Sequence, residues 1–226
     1  MDGSLDISLR ELVAELWRGK SIGRSLLNFI ARDKVVLSGR VLDLGSGAGG
    51  SHYRFIKQEP ATSIISVDMN YNYRADIVAT LESPLPVKDA VGDVAMLFNC
   101  LYLVYHYQLL IEEIHRVLKP NGKVYIAAPF LFGFTPEPAD YFRYTETALD
   151  RILKEKFTAV EIISFGGLFL AAINLLNVVI KVRLFRIFTT LIALGLDQLL
   201  TRFVGSRNKR TYPIGYLVIA EKGMSE

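Results

Sequence analysis

Two carboxylates and a run of glycines are the residues whose types and spacing most directly suggest chemistry. Asp43 stands in the apolar stretch Val41-Leu-Asp-Leu44, and Gly45-Ser46-Gly47-Ala48-Gly49-Gly50 follows at once. A carboxylate at the end of such a stretch is costly to bury unless it meets a cation or several donors. The glycines let the backbone turn sharply and approach a ligand closely, and their N–H groups suit a carboxylate, a ribose or a phosphate. Asp68-Met69-Asn70 closes the β-branched run Ser63-Ile-Ile-Ser-Val67, about twenty residues beyond the loop. Its two oxygens suit the vicinal hydroxyls of a ribose, with capping of the next turn as the alternative use.

These residues need strands to carry them and helices to separate the strands. Val35, Val36, Leu37 and Val41 lead into a buried strand ending at Leu44, and residues 51–58 read as the first crossover helix. Strands are expected over 63–67, 75–79, 94–98 and 123–129, and an amphipathic helix over 109–118 is stopped by Lys119-Pro120-Asn121-Gly122. Thr145 caps a further helix, and the last two strands span about 157–164 and 212–222. Upstream, Leu5, Leu9, Leu12, Val13 and Leu16 fall at helical spacing, and 25–32 gives a second short helix. Residues 1–34 thus form a helical cap, in which Trp17 is expected to pack into the core. Strands alternating with helices imply a mostly parallel sheet covered on both faces. Ligands of such sheets lie outside the carboxyl ends of the strands, so residues 99–106, directly after the fourth strand, belong near the reaction centre.

Gly45, Gly47 and Gly50 formally satisfy Gly-x-Gly-x-x-Gly, which keeps an NAD-dependent oxidoreductase open. The acid two residues before the first glycine instead resembles motif I of the class I S-adenosylmethionine-dependent methyltransferases. Arg116-Val-Leu-Lys-Pro-Asn-Gly122 resembles the segment that precedes their fifth strand, and the chain looks similar to type 11-like methyltransferases over about 35–165 and 212–222. The resemblance implies a Rossmann-like α/β fold of seven strands in the order 3-2-1-4-5-7-6, with S-adenosyl-L-methionine as cofactor and no metal. It also implies that Asp43, Gly45, Ser46, Gly47 and Gly49 cradle the methionine part, and that Asp68 and Met69 face the ribose. Thr80, Leu81 and Asn99 would face the adenine side. Thr80 stands where the family carries an acid, and Cys100 and Val104 stand where relatives carry a Glu and a His. His106, two residues further on, is the candidate general base.

Asp140-Tyr-Phe-Arg-Tyr-Thr145 resembles an element of bacterial methyltransferases found among polysaccharide-biosynthesis enzymes. Asp140 and Arg143 are candidates for binding a polar acceptor, with a structural pair that pins the loop as the alternative. The implied acceptor is a small molecule, or the hydroxyl of a glycan or lipid-linked sugar.

Composition bounds these readings. With 226 residues, 51% of them hydrophobic, a single domain with a substantial core is expected over 1–226. A net charge of +3 is too mild to argue for nucleic acid, and one cysteine excludes an intramolecular disulfide and fits a reducing, cytoplasmic setting. The opening Met-Asp-Gly-Ser-Leu-Asp is acidic and polar, without a signal-peptide pattern. The mean hydropathy of +0.29 has its source in residues 166–210, where the last two strands would ordinarily be joined by a short hairpin. That apolar insert is broken by Lys181, Arg183 and Arg186 and closed by Arg202, Arg207, Lys209 and Arg210. Neither apolar run reaches the roughly twenty residues of a spanning helix. Two helices lying in a membrane surface are expected, with a homodimer of packed hairpins as the competitor. A degenerate methyltransferase fold serving as a membrane-bound subunit is the non-enzymatic alternative.

Overall fold

The computed structural model describes residues 8–49, 52–180, 182–205 and 207–224; Leu5, Gly50, Ser51 and Lys181 of the sequence reading lie outside them. Helix α1 (Leu9–Trp17) starts where the Ser8 hydroxyl accepts from the Glu11 N–H, and it buries Leu12 and Leu16. Helix α2 (Ile22–Lys34) starts at Ser21, which caps the Arg24 N–H at 3.2 Å, and it is longer than its apolar spacing implied. Trp17 is not core: it is 52% exposed at the end of α1.

The sheet is built from β2 (Arg40–Leu44), β4 (Ser63–Asp68), β5 (Ile77–Val78), β6 (Gly92–Phe98), β7 (Leu118–Pro129), β8 (Ala159–Gly166) and β9 (Pro213–Glu221). The spatial order is β5-β4-β2-β6-β7-β9-β8, with only β9 antiparallel to its neighbours. This is the order 3-2-1-4-5-7-6 that the family resemblance implies. Alternation along the central strands feeds two cores. Val94, Met96 and Phe98 of β6 face a core shared with Leu12, Phe29 and Leu194. Ala95 and Leu97 face the other, with Leu149 of α4 (Glu146–Lys154) and with Ile114 of α3 (Tyr107–Val117). Pro120-Asn121-Gly122 forms an outward loop inside β7, with Asn121 at φ 61°, rather than a break before it.

Two expectations are corrected. The crossover helix over 51–58 is absent: residues 52–55 turn, and the short strand β3 (Lys57–Gln58) pairs in parallel with β1 (Val36–Leu37). The turn points His52 and Tyr53 inward, and Glu59-Pro60 ends the segment before a helix has length to form. The insert forms α5 (Leu168–Leu176), α6 (Arg183–Val204) and α7 (Arg207–Thr211). At 22 residues α6 is, by length and composition, long enough to cross a membrane, contrary to the run lengths read from the sequence. One face of it, Ile187, Thr190, Ala193, Leu194 and Asp197, is buried against the rest of the chain.

Candidate active site

The site grows from the carboxyl ends of β2, β4 and β6. Val67 accepts from the Gly45 and Ser46 N–H groups at 2.8 and 3.2 Å, which straps the loop onto β4. Gly45 needs its glycine twice over: φ is 72°, and a Cβ would stand 2.5 Å from the Cys100 sulfur. Gly47 is at φ 64°, yet a Cβ there would meet nothing within 4 Å. The loop therefore presents an open face. Gly49 is likewise open.

Asp68 is buried and oriented from two sides, accepting from the Gly47 N–H at 2.8 Å and the Asn70 N–H at 2.9 Å. Asp43 is 1% exposed, and the Tyr53 hydroxyl donates to it. Burial pushes its carboxyl up to about 6; the Tyr53 hydrogen bond works against this and the nearby Asp68 charge adds to it. The Cys100 thiol donates to the Gly45 and Phe98 carbonyls, each at 3.3 Å, and burial pushes it up to about 12. It is an inert spacer under the loop, not a nucleophile.

The other expected cofactor residues surround this cradle. Asn99 adopts φ 56° and donates its N–H to Ala127 at 2.9 Å at the end of β6. The Thr80 hydroxyl accepts from the Glu82 N–H at 3.1 Å, and Leu81 packs against the second core. Met69 is 58% exposed beside Asp68. His106 is exposed at the start of α3; the Glu82 carboxylate accepts from its N–H at 3.0 Å and from the Tyr105 N–H at 2.6 Å. Glu82 thereby joins the Thr80 corner to the His106 corner.

Asp140 and Arg143 meet each other instead of opening to the cleft. The Asp140 side chain is 2% exposed and accepts from both terminal nitrogens of Arg143 and from the Thr135 N–H at 3.0 Å. Arg143 also donates to the Phe142 carbonyl at 2.9 Å and lies over the Tyr102 ring at 5.2 Å. The guanidinium beside Asp140 holds that carboxyl down at about 2. Asp140→Ala should therefore cost about 2 kcal/mol of stability, read by thermal denaturation, because Arg143 and the Thr135 N–H lose their acceptor. The glycine loop, which shares none of these contacts, should keep its ligand affinity per folded molecule.

Four residues that sequence patterns did not single out complete the site. Arg24 and Asn28 share one face of α2, and His52 and Tyr53 come from the turn after the glycine loop. Arg24 Nε, both polar atoms of Asn28 and His52 Nε2 are buried without a hydrogen-bond partner. The His52 ring packs against Tyr53 and Phe98, and burial, with Arg24 adding to it, lowers its pKa to about 4, so it is neutral. Such orphaned groups are rare and call for a ligand or a water. The sequence hint was the polar pair Arg24 and Asn28 within 22–31, a stretch whose only other polar side chain is Ser25.

Two buried carboxylates, a nearby guanidinium and an open glycine loop suit a ligand that is zwitterionic at one end and carries a diol at the other. Residues 42–126 match the family described as methyltransferase domain. No curated protein matches the chain by sequence. Among solved structures, phosphoethanolamine N-methyltransferase 2 of Haemonchus contortus with S-adenosyl-L-methionine superimposes with TM-score 0.54 at 16% identity. The match covers 97% of this chain and 60% of that one; in the same enzyme with S-adenosylhomocysteine the second share is 53%, so this chain spans a little over half of that protein. A chain from the Haloferax volcanii complex of the Trm112 methyltransferase activator with a methyltransferase gives 0.54 at 17% identity, over 94% of this chain and 98% of that one. The [4+2]-cyclase SpnF gives 0.51 at 16%, over 88% and 82%, so the fold alone does not fix the reaction. Sheet order and these superpositions agree on a Rossmann-like α/β fold of the kind that methyltransferases adopt, and residues 42–126, which carry the cradle, match the methyltransferase-domain family.

Proposed function

We propose that this chain is a methyltransferase that transfers the methyl group of S-adenosylmethionine to a hydroxyl of a glycan or lipid-linked acceptor at the cytoplasmic face of a membrane. The observation that carries the reading is the cradle itself: buried Asp43 and Asp68 flanking a glycine loop with room for a ligand where side chains would otherwise be. Asp43 would hold the cofactor's ammonium and Asp68 its ribose hydroxyls. Arg24, whose Nε lacks a partner, would take the carboxylate. A diphosphate at the same loop would face the Asp43 carboxylate, which argues against NAD.

When bound, the cofactor supplies a sulfonium methyl already activated for in-line attack. The chain's own share is orientation, plus acceptance of a proton. His106, exposed and with its backbone N–H held by the Glu82 carboxylate, is the proposed acceptor of the hydroxyl proton, which its imidazole can pass to solvent. Asp140 and Arg143 act as positioning residues: they hold the 132–143 loop beside Tyr102.

Membrane docking is supported by the exposed face of α6. Phe185, Phe188, Ile192, Leu196, Leu199 and Phe203 make one apolar stripe, from 40% to 80% exposed, along the helix. Arg183 and Arg202 flank it, suiting anionic headgroups. The Leu16 carbonyl accepts from Arg186 at 3.4 Å, so Trp17 stands at the root of this surface. Because Trp17 is the sole tryptophan, its emission should shift to the blue when anionic vesicles are added. Phe188→Glu should abolish both the shift and flotation with the vesicles. Protein that stays soluble beside such vesicles and runs as a detergent-independent dimer rejects docking in favour of paired hairpins.

A further inference from the structure

A cavity of about 630 Å³ lies between the start of α2, the ends of β6 and β7, and helix α5 of the insert. Its volume is in the range of small-molecule sites. The two ends differ chemically. The inner end carries Asn99, Tyr102 and Arg24, at the carboxyl ends of the strands where the cofactor loop also stands. The rest of the lining is mostly apolar, with Leu27, Leu131, Phe165, Leu175, Val178 and Ile214 among its large side chains; Lys20, Ser21 and Asn174 are its polar ones.

The outer wall belongs to the insert. Leu175 and Val178 line the cavity and are also 52% and 84% exposed, so the lining runs without interruption onto the apolar outer surface of the hairpin. The Asn174 amide donates to the Leu131 carbonyl at 3.3 Å, which fixes α5 to the loop after β7 and keeps this wall in place. A sugar or other fully polar acceptor would leave that wall unpaired. The geometry points to an amphiphile: a single acyl or prenyl chain lying between Leu131 and the 175–178 edge, entering from the membrane side, with its polar end at Asn99 and Tyr102. This assignment rests on the methyltransferase reading and narrows its acceptor class to single-chain lipids.

Protein saturated with S-adenosylhomocysteine, titrated with a dansyl-labelled C11 fatty acid in the absence of vesicles, tests it. Saturable one-to-one binding is expected, competed by farnesol and not by butanol. Leu175→Glu with Val178→Glu should weaken it by at least about tenfold. Ile192→Glu, on the exposed α6 stripe and away from the cavity, should leave it unchanged. Gly133→Leu provides a second route, because Gly133 lines the cavity and a Cβ there would meet nothing within 4 Å, so the added side chain should narrow the space and weaken binding. Non-saturable partitioning, or equal affinity in all these variants, overturns the proposal. The S-adenosylhomocysteine affinity of each variant is read separately by calorimetry. Its absence in the unaltered protein would refute the methyltransferase reading, whereas normal cofactor binding without fatty-acid binding refutes only the lipid cavity.

Discussion

Asp43→Asn is expected to make the ligand-free protein more stable at pH 7 while stripping it of cofactor. In the folded chain the Asp43 carboxyl titrates near 6, chiefly because it is buried, against 3.8 for the free group. The folded state thus holds this proton more tightly than the unfolded state does. That stabilisation is full below pH about 4 and is lost as pH rises through about 6. Above that the ionised carboxylate burdens the empty fold by about 3 kcal/mol. Asparagine removes the charge and still accepts from Tyr53, so Tm at pH 7 should rise by roughly 6–12 °C. Affinity for S-adenosylhomocysteine should fall by about 2–4 kcal/mol, roughly 30- to 1,000-fold, because an ammonium would lose its buried counter-charge. In the unaltered protein, affinity should climb from pH 5 to pH 7 and then level off; in the variant the climb should vanish. Calorimetric titrations across that range, beside thermal melts, check both halves. A variant that is less stable at pH 7, or that binds as well as before, contradicts the role given to Asp43.

The second large effect is expected at Asp197, the sole acidic residue in the 166–210 insert. It is buried in α6, yet its partners belong to other helices. It accepts from the Phe169 N–H at 3.2 Å, the Leu170 N–H at 2.7 Å and the Asn208 amide at 2.9 Å, while Asn208 in turn accepts from the Leu168 N–H at 3.1 Å. The first donors of α5 are thus capped from α6 and α7, because Gly167 at the cap position has no side chain to offer. A Cβ on Gly167 would lie 2.6 to 2.8 Å from the Asp197 carboxylate, so that position needs glycine. Asp197→Ala should cost about 3–5 kcal/mol by leaving buried donors unpaired, lowering Tm by roughly 10 °C. Asp197→Asn, which keeps an acceptor, should cost less than half of that. Because the cradle at β2 and β4 shares no hydrogen bond with this cluster, cofactor affinity should persist below the melt while vesicle docking is lost. Equal melting of the variant and the unaltered chain would show that the insert is not held by this cap.

The sheet was legible because its signals are local. Apolar runs of strand length, glycines after Leu44 and the Lys119–Gly122 stop fix the alternation of strands and helices, and the family resemblance supplies their order. Asp43 and Asp68 were legible for a related reason, since each closes such a run. The crossover helix was misread because spacing over 51–58 says nothing about β3 pairing with β1, nor about His52 and Tyr53 turning in toward Asp43. Arg24 and Asn28 escaped notice because only the fold buries these polar atoms without a partner and brings Arg24 close to Cys100 and His52. Asp140 and Arg143 were seen as a pair, but only the fold shows Thr135 and Tyr102 completing their contacts, which leaves the pair to hold a loop. In α6 the charges at 183, 186 and 202 mark the ends of one continuous helix and not breaks between shorter ones.

The central claim is that the loop after β2 holds S-adenosylmethionine. Isothermal titration of the intact chain at pH 7.5 with S-adenosylmethionine, S-adenosylhomocysteine and NAD tests it most directly. One-to-one binding of both sulfur ligands is predicted, with no heat from NAD and loss of binding in Gly47→Val, whose side chain would project into the open face of the loop. Binding of NAD alone, or S-adenosylhomocysteine affinity unchanged in Gly47→Val, would contradict it.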